Sequence, residues 1–193
     1  MPKDSVMLHT DTVLAQGLFS LLQTLETRLE LQRKINVFLA GGMAVHLYTG
    51  TRVTTDVDAE FGARIFLPND LVLELVLEDG TQHLIYFDTN YNASFALLHE
   101  DYLDDALPVP FSLPHFEVYV LSPVDLAVSK IARFAANDQD DIQALVRAGL
   151  TSAAAIETRA EAALAGYVGG LAMLRLNLQD AVKLAEAVEG SLN

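Results

Sequence analysis

The sequence predicts an α+β fold, with a mixed β-sheet core, flanking helices and a C-terminal helical hairpin. Three observations predict it. Residues 9–34 carry leucines at the three- and four-residue spacing of an amphipathic helix. Short apolar runs bounded by turn residues follow between residues 35 and 121, as in strands. From residue 151 the composition changes to Ala, Leu and Glu, with glycines near 169 that separate two helices.

Composition limits the classes of function. The chain has 193 residues, 51% of them hydrophobic, which is enough for a substantial core. Its 12 basic and 26 acidic residues give a net charge of −14, so bulk nucleic-acid binding is not expected, although a local basic patch stays open. The absence of cysteine excludes disulfides and thiolate metal sites. Without an apolar leader or a membrane-length apolar stretch, the expected location is the cytoplasm, with no membrane partner.

The predicted elements follow the chain. The first helix is expected to be capped by Thr10 or Asp11, and a short helix over residues 43–50 follows the first strand. Asp140 is predicted to be a helix N-cap. The predicted strands lie within residues 35–61, 71–77, 82–91 and 116–121, and those of 35–61, 82–91 and 116–121 are expected to form one mixed sheet.

Two domains are predicted. Residues 1–150 form the core with its N-terminal helix, and residues 151–193 form a helical extension packed on that core. The extension could cover the sheet, shape a substrate groove or form a dimer face, so an oligomer through these helices stays open.

Glycines and carboxylates concentrate between residues 40 and 61. An apolar strand is followed by Gly41 and Gly42, which let a ligand approach the backbone closely at the start of a helix. Asp56 and Asp58 then alternate with apolar residues, so both carboxylates face one way, about 7 Å apart along a strand. Such a pair suits a hard divalent cation, which also binds substrate phosphates.

This arrangement resembles the polymerase-beta-like nucleotidyltransferase superfamily, and more narrowly the minimal bacterial enzymes related to AbiE-type abortive-infection toxins. The matching residues are Gly41-Gly42 and the Arg-x-Thr-x-Asp-x-Asp run Arg52-Val53-Thr54-Thr55-Asp56-Val57-Asp58. The resemblance covers roughly residues 35–145. It implies that Asp56 and Asp58 are catalytic and hold Mg²⁺ or Mn²⁺. It also implies that Gly41, Gly42, Arg52 and Thr54 bind nucleotide.

The superfamily has a third carboxylate on a later strand. Asp88, between Phe87 and Thr89, fits that place as a catalytic residue and metal ligand. The alternative for Asp88 is a strand-end aspartate that caps the next turn. Glu117 is the rival third carboxylate.

A second match lies in the stretch from Asp125 onward, where a helix is predicted over residues 125–134. Lys130, followed by Arg133, Asp138 and Asp141, resembles a pattern of the related toxins. The resemblance implies that Lys130 neutralises nucleotide phosphate, with Arg133, Asp138 and Asp141 as secondary candidates. The alternative is a surface lysine paired with Asp138 or Asp141.

Two hypotheses of function follow. The first is a metal-dependent nucleotidyltransferase that moves a nucleoside monophosphate from an NTP to an unidentified hydroxyl, on RNA, a protein or a small molecule. The resemblance adds a role in toxin–antitoxin or phage defence, with an antitoxin as partner. The second is a non-catalytic nucleotide- or partner-binding regulatory module on the same fold. Convergence of Asp56, Asp58 and Asp88 is what distinguishes the two.

Overall fold

The computed structural model describes residues 6–192, which divide into two compact units. The first unit consists of the described residues up to 91 together with residues 107–120, and it carries the β-strands of the described chain. The second consists of residues 92–106 and the described residues from 121 onward, and it is helical. Residues 121–150, predicted to belong with the core, thus group with the C-terminal helices.

The first unit contains two mixed sheets. Their strands are β1 (Ile35–Leu39), β2 (Asp56–Val57), β3 (Ala59–Phe61), β4 (Val72–Val76), β5 (Gln82–Phe87), β6 (Leu107–Pro108) and β7 (Phe116–Val120). One sheet has the order β3-β1-β7-β6, with β1 and β7 parallel and the outer pairs antiparallel. The other has the order β2-β5-β4, with β2 and β5 parallel and β4 antiparallel to β5. The α+β class is confirmed, but the prediction of a single sheet is wrong.

The two sheets separate at Asp58. Val57 pairs with Phe87 in one sheet, and Ala59 pairs with Leu39 in the other. The carbonyl of Asp58 accepts a hydrogen bond from the Ala40 N–H at 2.9 Å. The segment thus changes its partner strand at the residue whose carboxylate was predicted to be catalytic.

Two helices complete the first unit. Helix α1 (Val13–Leu29) begins at Thr12, whose hydroxyl accepts from the Ala15 N–H, so the cap lies one residue beyond the predicted positions. Helix α2 (Gly41–Thr49) is buried along nearly its whole length rather than on one face. Helix α1 packs on β4 and β5, where a Cβ at Gly17 would lie 2.5 Å from a methyl of Leu75.

The second unit is built from four helices and a short 3₁₀ turn at Ala93–Phe95. The helices are α3 (Pro123–Ser129), α4 (Ala136–Arg147), α5 (Ala153–Gly166) and α6 (Leu171–Leu192). The hairpin of α5 and α6 is the predicted one, and α6 also packs on α4. The core of the second unit is aliphatic, with Ile142, Leu145 and Ile156 fully buried. In the part of the chain that the structure describes, no helix combines the length and apolar character that a membrane crossing requires.

Candidate active site

Three carboxylates meet in the first unit. Asp56 begins β2, Asp58 lies between β2 and β3, and Asp88 directly follows β5. Each offers one carboxylate oxygen, and the three oxygens lie within 4.8 Å of one another. The parallel pairing of β2 and β5 produces this meeting, because the Asp88 N–H donates to the Val57 carbonyl at 3.0 Å. The structure therefore brings together the three residues that the sequence pattern singles out.

The glycine pair makes room for this cluster. Gly41 has a φ of +60°, and a Cβ there would lie 1.8 Å from Oδ2 of Asp58. A Cβ at Gly42 would lie 2.9 Å from Oγ1 of Thr54. The helix was expected to begin at Met43, but both glycines belong to the first turn of α2, where N–H groups lack partners within the helix. They are needed for packing whether or not they also bind phosphate.

Thr54 positions Asp56. Its buried hydroxyl donates to Oδ1 of Asp56 at 2.8 Å. Its own carbonyl accepts from Nε2 of His83 on β5, also at 2.8 Å. The resemblance implied that Thr54 binds nucleotide. In the structure, the hydroxyl of Thr54 binds the carboxylate of Asp56.

His46 holds the segment just before Thr54. Its Nδ1 donates to the carbonyl of Arg52 at 2.7 Å, and its Nε2 lies 2.7 Å from the hydroxyl of Thr12. The side chain is buried, and this burial lowers the pKa of His46, with the charge of nearby His9 acting in the same direction against the hydrogen bond to Arg52. The imidazole is thus neutral near pH 7, donating through Nδ1 and accepting the Thr12 hydroxyl at Nε2.

Arg52 itself is half-buried, and its guanidinium donates to the Val53 carbonyl. Its predicted contact with nucleotide stays a prediction.

Tyr91 is a further residue near the carboxylates. Burial raises the pKa of its hydroxyl, and the negative charges of Asp58 and Glu60 raise it further. The phenol therefore stays protonated and can act as a hydrogen-bond donor. Nothing in the sequence marks this residue, because its loop follows β5 and Asp88 without any motif of its own.

A cleft of about 390 Å³ opens beside Asp56 and Asp88. Asp58 and the two glycines are not among the residues that line it. The others that line it are Pro68, Asn69, Leu71, Tyr86, Phe87, Thr89 and Asn90.

Glu117, the rival third carboxylate, lies elsewhere in the same unit. It is on β7, and its Oε1 lies 2.7 Å from Nζ of Lys34. Asp88 also accepts from the Asn90 N–H at 2.8 Å, which is the turn-capping contact of its alternative interpretation. The two roles of Asp88 are compatible, because the capping bond uses one carboxylate oxygen.

Lys130 lies in the second unit with acidic partners. Its Nζ is 2.8 Å from Asp141 and 3.8 Å from Asp138, and all three side chains are buried. The predicted pairing with these acids is present, but the lysine is not a surface residue. Its predicted contact with phosphate stays a prediction.

Arg133 and Asp138 form the other half of this cluster. The guanidinium binds both oxygens of Asp138, at 2.7 and 2.8 Å. Burial alone would raise the pKa of Asp138, but the hydrogen bonds from Arg133 and the Ala135 N–H and the charges of Lys130 and Arg133 lower it overall. The prediction of Asp140 as an N-cap is wrong: α4 begins at Ala136, and the Asp138 side chain accepts from the Ala135 N–H at 3.0 Å.

Comparisons with known proteins agree with the site at the level of family. Residues 16–175 match the family described as nucleotidyltransferase of unknown function (DUF6036). Neither the comparison with curated proteins nor the comparison with solved structures gave a match. The matched region contains both units' motifs, and the finer relation to abortive-infection toxins stays a prediction. Because the match covers most of its length, this chain belongs to that family of nucleotidyltransferases.

Proposed function

We propose that the protein is a metal-dependent nucleotidyltransferase that transfers a nucleoside monophosphate from an NTP to a hydroxyl acceptor. The observation that carries the proposal is the cluster of Asp56, Asp58 and Asp88, whose carboxylate oxygens lie within 4.8 Å of one another. Like charges at this separation destabilise one another unless a cation or solvent intervenes.

The donor set fits Mg²⁺ or Mn²⁺. Both ions prefer oxygen ligands, and carboxylates that share an ion with substrate phosphates are their usual setting. The absence of a Cβ at Gly41 leaves the space that Oδ2 of Asp58 occupies. Asp56, Asp58 and Asp88 would hold the ion, which when bound stabilises negative charge on the entering and leaving oxygens.

The residues of the chain then have separate tasks. Asp88 accepts the proton of the acceptor hydroxyl while the hydroxyl oxygen forms its bond to the α-phosphorus. The bond from that phosphorus to the oxygen bridging to the β-phosphate breaks, and pyrophosphate leaves with the electron pair. Thr54 holds Asp56 in position through its hydroxyl. The first-turn N–H groups at Gly41 and Gly42 bind phosphate oxygens, and Arg52 adds positive charge near them.

The alternative of a non-catalytic module has no matching support. Carboxylates that do not converge would have ruled out catalysis and favoured this alternative, whereas the three oxygens lie within 4.8 Å of one another. A toxin–antitoxin or phage-defence role rests only on the resemblance to abortive-infection proteins. Its expected sign is growth arrest on expression of the wild-type chain but not of Asp88→Asn.

The test uses each NTP, labelled at the α-phosphate, with Mg²⁺ and a cell extract as the source of acceptors. Asp88→Asn should lower transfer by about 10²- to 10⁴-fold, the usual contribution of a general base. Its affinity for a non-hydrolysable NTP should stay close to that of the wild type.

Glu117→Gln is the matched control, since it neutralises the rival carboxylate, which pairs with Lys34. It should transfer label as the wild type does. Equal loss in both variants, or none in Asp88→Asn, would remove Asp88 from the reaction.

A further inference from the structure

The cleft beside Asp56 and Asp88 has a definite place relative to the phosphates, if the proposed function holds. The phosphates are assigned to Gly41 and Gly42, which contact Asp58 and Thr54. The cleft borders the other two carboxylates and none of these four residues. The cleft is therefore lined by Asp56 and Asp88, whereas the glycine pair lies beside Asp58, the third carboxylate.

The geometry of the reaction assigns this cleft to the acceptor. In-line displacement puts the entering oxygen and the leaving pyrophosphate on opposite sides of the α-phosphorus. With pyrophosphate at the glycine pair, the hydroxyl enters from the side of Asp88. That carboxylate lines the cleft, so a hydroxyl compound in the cleft can pass its proton to it.

The lining is unsuited to a phosphate. No Lys or Arg is among the described residues that line it, and its charged side chains, Asp56 and Asp88, are carboxylates that repel a phosphate. What remains is an exposed tyrosine ring, Tyr86, with the amides of Asn69 and Asn90 and the hydroxyl of Thr89. An RNA 3′ end carries a phosphodiester next to its hydroxyl, and this lining offers nothing to neutralise it.

The size of the cleft favours a small molecule over a protein acceptor. Its volume of about 390 Å³ lies within the range of small-molecule sites. Exposed apolar side chains also lie on the face of β4 and β5 that carries Tyr86, namely Val72, Val76 and Leu84. They are few beside the roughly 20 to 30 residues a side of a stable protein interface.

We propose that this cleft is the acceptor site and that the acceptor is a small, phosphate-free hydroxyl compound, neutral or positively charged. Tyr86 stacks on its apolar face, and the amides of Asn69 and Asn90 bind its polar groups. Its hydroxyl oxygen bonds to the α-phosphorus, its proton passes to Asp88 and pyrophosphate leaves.

A fractionated cell extract tests the class of acceptor. Before the reaction with labelled NTPs and Mg²⁺, the extract is separated into RNA, protein and low-molecular-mass fractions. The last fraction is then split on an anion exchanger into flow-through and retained compounds. The label should appear with the flow-through. Label with RNA, protein or retained compounds would overturn the inference and leave the proposed function standing, whereas label in no fraction would contradict both.

Variants of the lining test the place of the acceptor. Tyr86→Ala and Asn69→Lys should each raise the apparent KM for dilutions of the flow-through fraction about tenfold or more. The Kd for Mg²⁺ with a non-hydrolysable NTP should stay within about twofold. Asn36→Lys is the matched control, because it adds the same charge at an exposed site of β1 outside the cleft and should change neither constant. Unchanged KM in both lining variants, or equal loss of NTP binding, would overturn the assignment.

Discussion

Close packing around Asp58 determines which residue can stand at position 41. The substitution Gly41→Ala imposes two costs: a positive φ of +60°, and a Cβ 1.8 Å from Oδ2 of Asp58. The backbone cost alone is about 1 to 2 kcal/mol. Because the carboxylate must also move, Gly41→Ala should lose more stability than the backbone cost alone, as measured by denaturant unfolding. It should also lose metal-dependent transfer, as measured with labelled NTP.

Gly149→Ala separates the two costs. Gly149 has a similar φ of +69°, but a Cβ there would meet nothing within 4 Å. This variant should pay the backbone cost alone and keep its activity. If the two variants lose the same stability and both remain active, the contact between position 41 and Asp58 does not position the carboxylate.

The sequence revealed the carboxylates but not the groups that position them. Strand alternation placed Asp56 and Asp58 on one face, and the resemblance to the nucleotidyltransferase superfamily singled out Asp88. The contacts of His46 and His83 could not be predicted, because both imidazoles bind backbone carbonyls in a loop that only the folded chain brings to them. Every residue has a backbone carbonyl, so the residue type does not reveal which carbonyl accepts a hydrogen bond from a histidine.

The buried His46 gives a prediction for pH. Its pKa is lowered in the folded chain, so below about pH 6.5 the unfolded chain binds the proton more readily. Stability contributed by the neutral imidazole is present above that pH and is lost as pH falls towards the folded pKa. The slope is at most about 1.4 kcal/mol per pH unit.

His46→Asn checks this in a series of unfolding curves between neutral and mildly acidic pH. The amide can still donate to the Arg52 carbonyl but does not titrate. The wild type should lose stability relative to the variant as pH falls. Parallel pH profiles would show that His46 is not the responsible group.

Within the second unit, an ion pair ties two helices together. Asp125 on α3 is fully buried, and Arg159 on α5 binds both of its oxygens at 2.7 and 2.9 Å. The hydrogen bond to Asp125 is the main cause that raises the pKa of Arg159, so the guanidinium stays charged. Arg159→Ala would leave a buried carboxylate without its partner, which costs about 3 to 5 kcal/mol.

Asp105 supplies the comparison, because it binds the same guanidinium at 2.8 Å but its side chain is 49% exposed. Asp105→Ala should cost at most about 1 kcal/mol, as exposed pairs do. Chemical denaturation of the two variants and the wild type measures both costs. Similar costs for the two variants would mean that burial does not distinguish the two contacts.

The positions of the helices were predicted better than their ends. The leucine pattern indicated a helix over residues 9–34, where α1 spans Val13–Leu29, and the composition from residue 151 onward indicated the hairpin of α5 and α6. The helix predicted over residues 125–134 instead ends at Ser129, and Phe134 has a positive φ of +50°. Nothing in the residue types marks this end, because the tight turn that follows is held by the ion pairs of Lys130 and Arg133.

The excess of negative charge over the entire chain affects any test with a cation. A net charge of −14 destabilises a compact chain by self-repulsion, and any salt weakens that repulsion by screening. Mg²⁺ could therefore raise the melting temperature without binding at the carboxylate cluster. A specific effect must exceed that of NaCl at equal ionic strength.

The carboxylate cluster predicts such a specific effect. Binding at one hundred times the Kd contributes about 2.7 kcal/mol. For a chain of this length each kcal/mol shifts the melting temperature by about 2 to 4 °C, so a shift of roughly 5 to 11 °C over the NaCl control is expected.

The variant Asp58→Asn should differ from the wild type in two respects. Without metal it should be as stable as the wild type or more so, since one of three close negative charges is gone. With Mg²⁺ it should gain no more than NaCl gives. Thermal melts of both proteins in matched salts measure these differences. If wild type and variant respond identically to Mg²⁺, the ion acts on the overall charge and not at the cluster.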